Sequence, residues 1–298
     1  MRLAFAIAAG VAAVVACQGA VSSAPKTAPD FKALDWVSDA TDPVTHLTRQ
    51  PESCLIAPED QAVQRGELLF NSPLLLGGQA AKAGLSCASC HRNGRDNPDF
   101  VFSGISGEPG TADVTSGLFS KVRADQVFNP VSIPDLATPE GQRLVDRGAD
   151  GALEAFLSAQ ITEEFSGLAP SGPVIADLAV YIRSLDAASC DVRVEQAQTW
   201  RDEMNRFRAG ANYLRTLPDE DATAYRLAMR AALGRLHERY PASRFEDLSQ
   251  ELVSMGRDLS LAGVPVTLES RLESLEQALQ RGESQSLYDP DQLARVLP

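Results

Sequence analysis

Histidine is scarce in this chain: His46, His91 and His237 are the only three among 298 residues. Methionine is absent between Met1 and Met204, and aromatic residues make up 6%. With no histidine pair and no second pair of closely spaced cysteines, a structural zinc site lacks its ligands. Basic runs are missing as well. The formal net charge is −13, spread along the chain, which excludes nucleic acid as a partner because phosphates need a basic stripe. The same charge suits a basic protein docking by complementarity, or simply a solvated acidic surface. Beyond the first twenty or so residues no apolar run is long enough to span a bilayer. The 44% apolar content is ordinary for a folded chain, and the length accommodates two modest domains.

The N-terminus, MRLAFAIAAGVAAVVACQGA, sets Arg2 before an apolar run from Leu3 to Val15 and then small residues. This is the pattern of a secretory signal, too short for a membrane span. Val14-Val15-Ala16-Cys17 resembles a bacterial lipobox. It makes residues 1–17 a lipoprotein-type signal peptide and Cys17 the lipidated end of the mature chain; cleavage after Ala20 is the competing reading. Acyl chains tether a protein without inserting it, so the expectation is an exported, periplasmic protein anchored to a bacterial membrane. Residues 18–50 read as a linker, most tether-like from 18 to 35, where Ser, Ala, Pro and Thr dominate.

Four further cysteines follow: Cys54, Cys87, Cys90 and Cys190. In an exported chain loose thiols are unusual. With Cys87 and Cys90 taken as one functional pair, a Cys54–Cys190 disulfide is the economical assignment, and two unrelated buried thiols the alternative.

The motif GLSCASCHRNG (84–94) has three possible meanings. A redox dithiol wants its CxxC at the start of a helix after a strand, but the preceding segment reads as a helix and a Gly-rich loop. Zinc lacks ligands. Attachment of a c-type haem fits: both thiols reach the porphyrin edge as thioethers, and the adjacent His91 is placed to ligate iron from the proximal face. Arg92 and Arg95 lie close enough in sequence to meet haem propionates, with solvated surface arginines as the alternative.

Gly66, Leu69 and Phe70 in RGELLF form a helix face with a glycine where another helix can approach, and Leu178, Tyr181, Ile182 and Leu185 in IADLAVYIRSL recur at helical spacing. GxxxF before CxxCH, with LxxYI on a later helix, resembles class I cytochromes c, whose first and last helices cross beside the haem. GELLFNSPLL…LSCASCH is similar to the haem-domain opening of bacterial dihaem cytochrome c peroxidases and their methylamine-dehydrogenase-maturing relatives. LATPEGQRLVDRGADGALEAF looks like a worn form of a later segment in that superfamily, matching at Thr138, Pro139, Asp146, Gly148, Leu153 and Glu154, with Val145 where the histidine stands. The resemblance covers about residues 54 to 188.

The departures carry weight. One CxxCH implies one haem, and no methionine or histidine lies between His91 and Tyr181 to supply a distal ligand. Counting from Leu153, the family's methionine position falls near Gln160, a weak iron ligand that could hydrogen-bond a water or peroxide. The distal face is open, or is filled by His46, His237, Met204, Met229 or Met255 from elsewhere, by Lys121 or Tyr181, or by a partner protein.

From residue 191 to 298 the periodicity is helical, punctuated by Pro218 and Asp219, a Ser243–Glu246 capping box and an Asp289-Pro290 start. The expected fold is thus mainly α: a cytochrome c-like haem domain with long loops over 51–190, then an antiparallel helical bundle. The expected function is single-electron transfer to a redox protein partner. A peroxidase-related enzyme with Gln160 on an open distal face, or a haem-based sensor whose bundle contacts a partner, are the alternatives.

Overall fold

The computed structural model describes residues 30–191, 194–260 and 268–297. Among these residues the chain is mainly helical, with twelve α-helices and two two-stranded ribbons. The leader with Cys17, and residues 18–29 of the expected linker, lie outside the described residues.

Residues 30–50, assigned by composition to the linker, are folded. Phe31 and Leu47 are buried with Leu287 and Leu293 in a small apolar cluster. Asp42 caps α1 (Pro43–Thr48), accepting from the Thr45 amide at 2.9 Å, and β1 (Arg49–Pro51) follows. A few well-spaced apolar side chains dock this otherwise polar segment, which average composition does not register.

Next comes α2 (Gln61–Phe70), started by Asp60, whose carboxylate accepts from the Ala62 and Val63 amides. Helix α3 (Gly78–Ala83) ends at Gly84, which takes the left-handed conformation that glycine allows. One turn, α4 (Cys87–Cys90), carries the motif. Ordered loops then run to residue 138, holding the antiparallel pair β2 (Thr111–Ala112) and β3 (Val131–Ser132). They lead through α5 (Pro139–Gln142) to α6 (Ala152–Ala159), which widens into a single π-type turn over Gln160–Glu164. Helix α7 (Gly172–Ser184) closes this half, burying Leu178, Tyr181 and Ile182 as the periodicity predicts. It packs on α2 with Gly66 at the contact.

Cys54 and Cys190 form the disulfide, with Cα atoms 4.9 Å apart across 136 residues of sequence. Outside it, β4 (Glu195–Ala197) pairs antiparallel with β1, Gln50 facing Gln196. The helical periodicity had reached back over 195–197. The helix instead starts at Trp200, because Thr199 and Asp202 exchange hydrogen bonds as a capping box.

The C-terminal part comprises α8 (Trp200–Leu214), α9 (Asp219–Arg239), α10 (Glu246–Asp258), α11 (Leu268–Gly282) and the short α12 (Pro290–Ala294). Helices α8 to α11 pack on one another as a bundle. The expected Ser243–Glu246 box does not form. The chain turns back on Pro241, whose carbonyl accepts from the Arg244 and Phe245 amides, and α10 begins after Phe245, whose ring lies 5.1 Å from that of Tyr240. Aromatic packing thus sets this helix start.

The apolar core is continuous from α2 and α7 into α8–α11. Leu68 packs where Gly210 of α8 leaves room. Arg206 of α8 pairs with Glu67 of α2 at 2.5 Å, and Arg235 of α9 donates to the Asn71 carbonyl at 2.9 Å.

Candidate functional site

The motif turn is built to hold its side chains in register. Ser86 and Ser89 form a capping box, the Ser86 amide donating to Ser89 Oγ at 3.0 Å, and the His91 amide closes the turn on the Cys87 carbonyl at 2.8 Å. Both thiols are free, and they and His91 keep part of their surface open. Protein packed around them nevertheless pushes each thiol up to about 12 and holds the His91 imidazole down to about 4.

These titrations bear on the chemistry. A redox dithiol works with a lowered thiol pKa, whereas desolvation here keeps both sulfurs protonated. Among the described residues no group of three His, Cys, Asp or Glu side chains could hold a metal ion. His91 is neutral at physiological pH, and its Nδ1 lies 3.1 Å from the Pro134 carbonyl oxygen. That bond selects the tautomer with the proton on Nδ1 and leaves the Nε2 lone pair for a ligand. Pro134 is held in turn by its neighbour: Asp135 takes a bidentate salt bridge from the buried Arg95.

The motif cysteines pack against an apolar core that contains several aromatic rings. Phe70 of α2 lies 6.4 Å from the His91 ring and 5.1 Å from that of Tyr181. Phe102, Phe119 and Phe165 form a run of tilted contacts at 5.4 and 5.6 Å. The Tyr181 hydroxyl is buried without a hydrogen-bond partner within the described residues.

Glu164, at the end of the π-type turn, is the site residue that sequence reasoning missed. It is buried, and it lies within electrostatic reach of both Cys87 and Cys90. Desolvation raises its carboxyl to about 7, against the pull of Arg123, whose Nη1 donates to it at 3.1 Å. The Gln160 amide, turned nitrogen-inward, faces both carboxylate oxygens of Glu164 as a donor. The i, i+4 spacing of Gln160 and Glu164 is the only local hint in the sequence, and adjacent Glu163 is exposed.

The other candidates go elsewhere. Met204, Met229 and Met255 are buried among the bundle helices, and His237 bonds to Ser249 Oγ at 2.8 Å. Lys121 is exposed. His46 and Arg92 line a separate cavity. Neither motif arginine is a solvated surface group: Arg92 donates to the His46 and Arg49 carbonyls, and Arg95 is held by Asp135.

No known protein-family model, curated protein or solved structure matches this chain.

Proposed function

We propose that this chain is a monohaem c-type cytochrome, related to the class I fold, that carries single electrons between protein partners at a periplasmic membrane surface. His91 supports the reading best: its Nδ1 is fixed by the Pro134 carbonyl beside two neutral thiols three positions apart. Cys87 and Cys90 would hold the haem as thioethers and His91 would ligate its iron. Bound haem supplies a one-electron couple whose potential follows its axial ligands and surroundings. The chain's own part is to fix the imidazole tautomer, to cover the imidazole with Phe70, and to set the local charge through Glu164 and Arg123.

A peroxide-binding haem enzyme is the second reading, and Glu164 favours it. A carboxyl titrating near 7, with the Gln160 amide beside it, is suited to moving a proton at neutral pH.

Optical and EPR spectra of the ferric and ferrous holoprotein, with and without carbon monoxide, separate the two. Low-spin iron unmoved by carbon monoxide is expected of the carrier. High-spin iron that shifts with carbon monoxide favours the enzyme, and peroxide turnover is then the assay. A chain that acquires no covalent haem when made alongside a cytochrome c maturation system overturns both.

A further inference from the structure

A cavity of about 340 Å³ lies between the motif turn and the bundle. Its walls include Ser86, Ala88, Ser89 and Arg92, but not Cys87, Cys90 or His91, so it belongs to the outer face of the turn. Two of its arginines donate to backbone carbonyls rather than to carboxylates. Arg92 donates to the carbonyls of His46 and Arg49, and Arg239 to those of Leu47 and Leu287 at 2.6 and 3.3 Å. Among the described residues neither forms an ion pair, whereas Arg206 is paired with Glu67 and Glu203, and Arg235 with Glu203.

Carboxylates act on them only at longer range: Asp99 and Glu195 on Arg92, and Glu238 and Glu203 on Arg239. Asp202 caps its own helix through Thr199, and Glu238 lines the cavity without an ion pair. Desolvation is the main cause that lowers the Arg92 pKa, and Arg239 adds a repulsion smaller than the pull of Asp99 and Glu195. Gln198 stands between the two guanidiniums, donating to the Arg49 carbonyl at 2.9 Å and accepting from Arg239 at 3.4 Å. Two buried atoms without partners, His46 Nδ1 and Arg206 Nε, also belong to lining residues; Nδ1 stands 3.6 Å from Asp99 Oδ2, beyond hydrogen-bond reach. Two guanidiniums without an ion pair among the described residues thus line one cavity, in a chain of net charge −13.

We infer that this cavity binds a small oxyanion, a carboxylate or phosphate species, between Arg92 and Arg239. Guanidinium groups recognise such oxygens through forked, charge-assisted hydrogen bonds, and the volume suits a small metabolite. The site stands on protein groups alone and does not depend on the haem reading.

The test uses the full-length protein, titrated separately with inorganic phosphate and with citrate, by calorimetry and by thermal denaturation at ionic strength held constant with chloride. Saturable binding of at least one anion at one site is expected, at least tenfold weaker in Arg239→Gln. Arg201→Gln, which removes a guanidinium paired with Glu283 outside the lining, should leave it unchanged. Gly234 lines the same cavity in α9, and a Cβ there meets nothing within 4 Å. Gly234→Phe therefore tests occupancy with every charge intact, even should Arg239→Gln fail to fold, and is expected to weaken binding. Phosphate alone binding identifies a phosphate site and citrate alone a carboxylate site; either supports the inference. No saturable binding of either anion, or undiminished binding in Gly234→Phe, overturns it.

Discussion

Gly66 of α2 lies so close against Tyr181 of α7 that a Cβ at position 66 would stand 2.6 Å from Tyr181 Cβ and 2.1 Å from the Asp177 carbonyl oxygen. The second contact is with backbone and cannot be relieved by a rotamer change. Gly66→Ala must push the helices apart, and the expected cost is about 3 kcal/mol, at the upper end of overpacking effects. Urea unfolding of wild type and variant measures it; an unchanged midpoint would mean that the crossing is looser than described.

The disulfide offers a second check. Removing it with a paired Cys54→Ala and Cys190→Ala variant is expected to destabilise the fold by about 2–4 kcal/mol, as for a cross-link that closes a long loop. The motif thiols remain, so covalent haem should still be detected in a pyridine haemochrome assay. Loss of the haem signal in a folded variant would show that the cross-link also shapes the site.

Glu164 makes stability depend on pH in a defined direction. Burial raises its carboxyl to about 7 from an ordinary 4.5, so between these values the folded chain holds a proton that the unfolded chain has released. Its contribution is full below about 4.5, declines as pH rises to 7 and is level above; the decline is on the order of 3 kcal/mol. Glu164→Gln should flatten that part of the profile. A wild-type profile that already lacks the decline would place the carboxyl in water.

Under the proposed haem function, the same carboxylate predicts a redox signature in the holoprotein. Ionising Glu164 adds a negative charge near the thiols and stabilises ferric iron, so the midpoint potential should fall as pH rises through 7. Glu164→Gln should remove that slope. With no methionine in the site, the potential should also lie below that of Met/His haems. Potentiometric titration returning a Met/His-like value would defeat this last expectation.

How much was legible in the sequence follows from how local each feature is. CASCH announces itself because the chemistry depends on a spacing within five residues. The α2 and α7 faces were readable because amphipathic periodicity marks the buried side, and Gly66 marked the crossing. Glu164 was not: its burial requires Arg123, some forty residues earlier, and a widened helical turn, and it reads in sequence like its exposed neighbour Glu163. The folding of residues 30–50 was hidden for the same reason, since Phe31 and Leu47 find their partners near the far end of the chain. The start of α10 was misplaced because Ser243 and Glu246 have the spacing of a cap, while Phe245 has a better partner in Tyr240.

Cys54 and Cys190 have a bearing on how the chain is assembled. Among the described residues four cysteines, paired completely, allow three arrangements, and every alternative partner for Cys54 or Cys190 among them is a thiol of the motif. In the folded protein the choice is already made: the two stand together with their Cα atoms 4.9 Å apart, while Cys87 and Cys90, held protonated by burial, are slow to enter exchange. Order of events thus becomes part of what the sequence encodes. A chain that oxidises after it folds keeps its motif intact, and one that oxidises first risks spending it on a wrong bond.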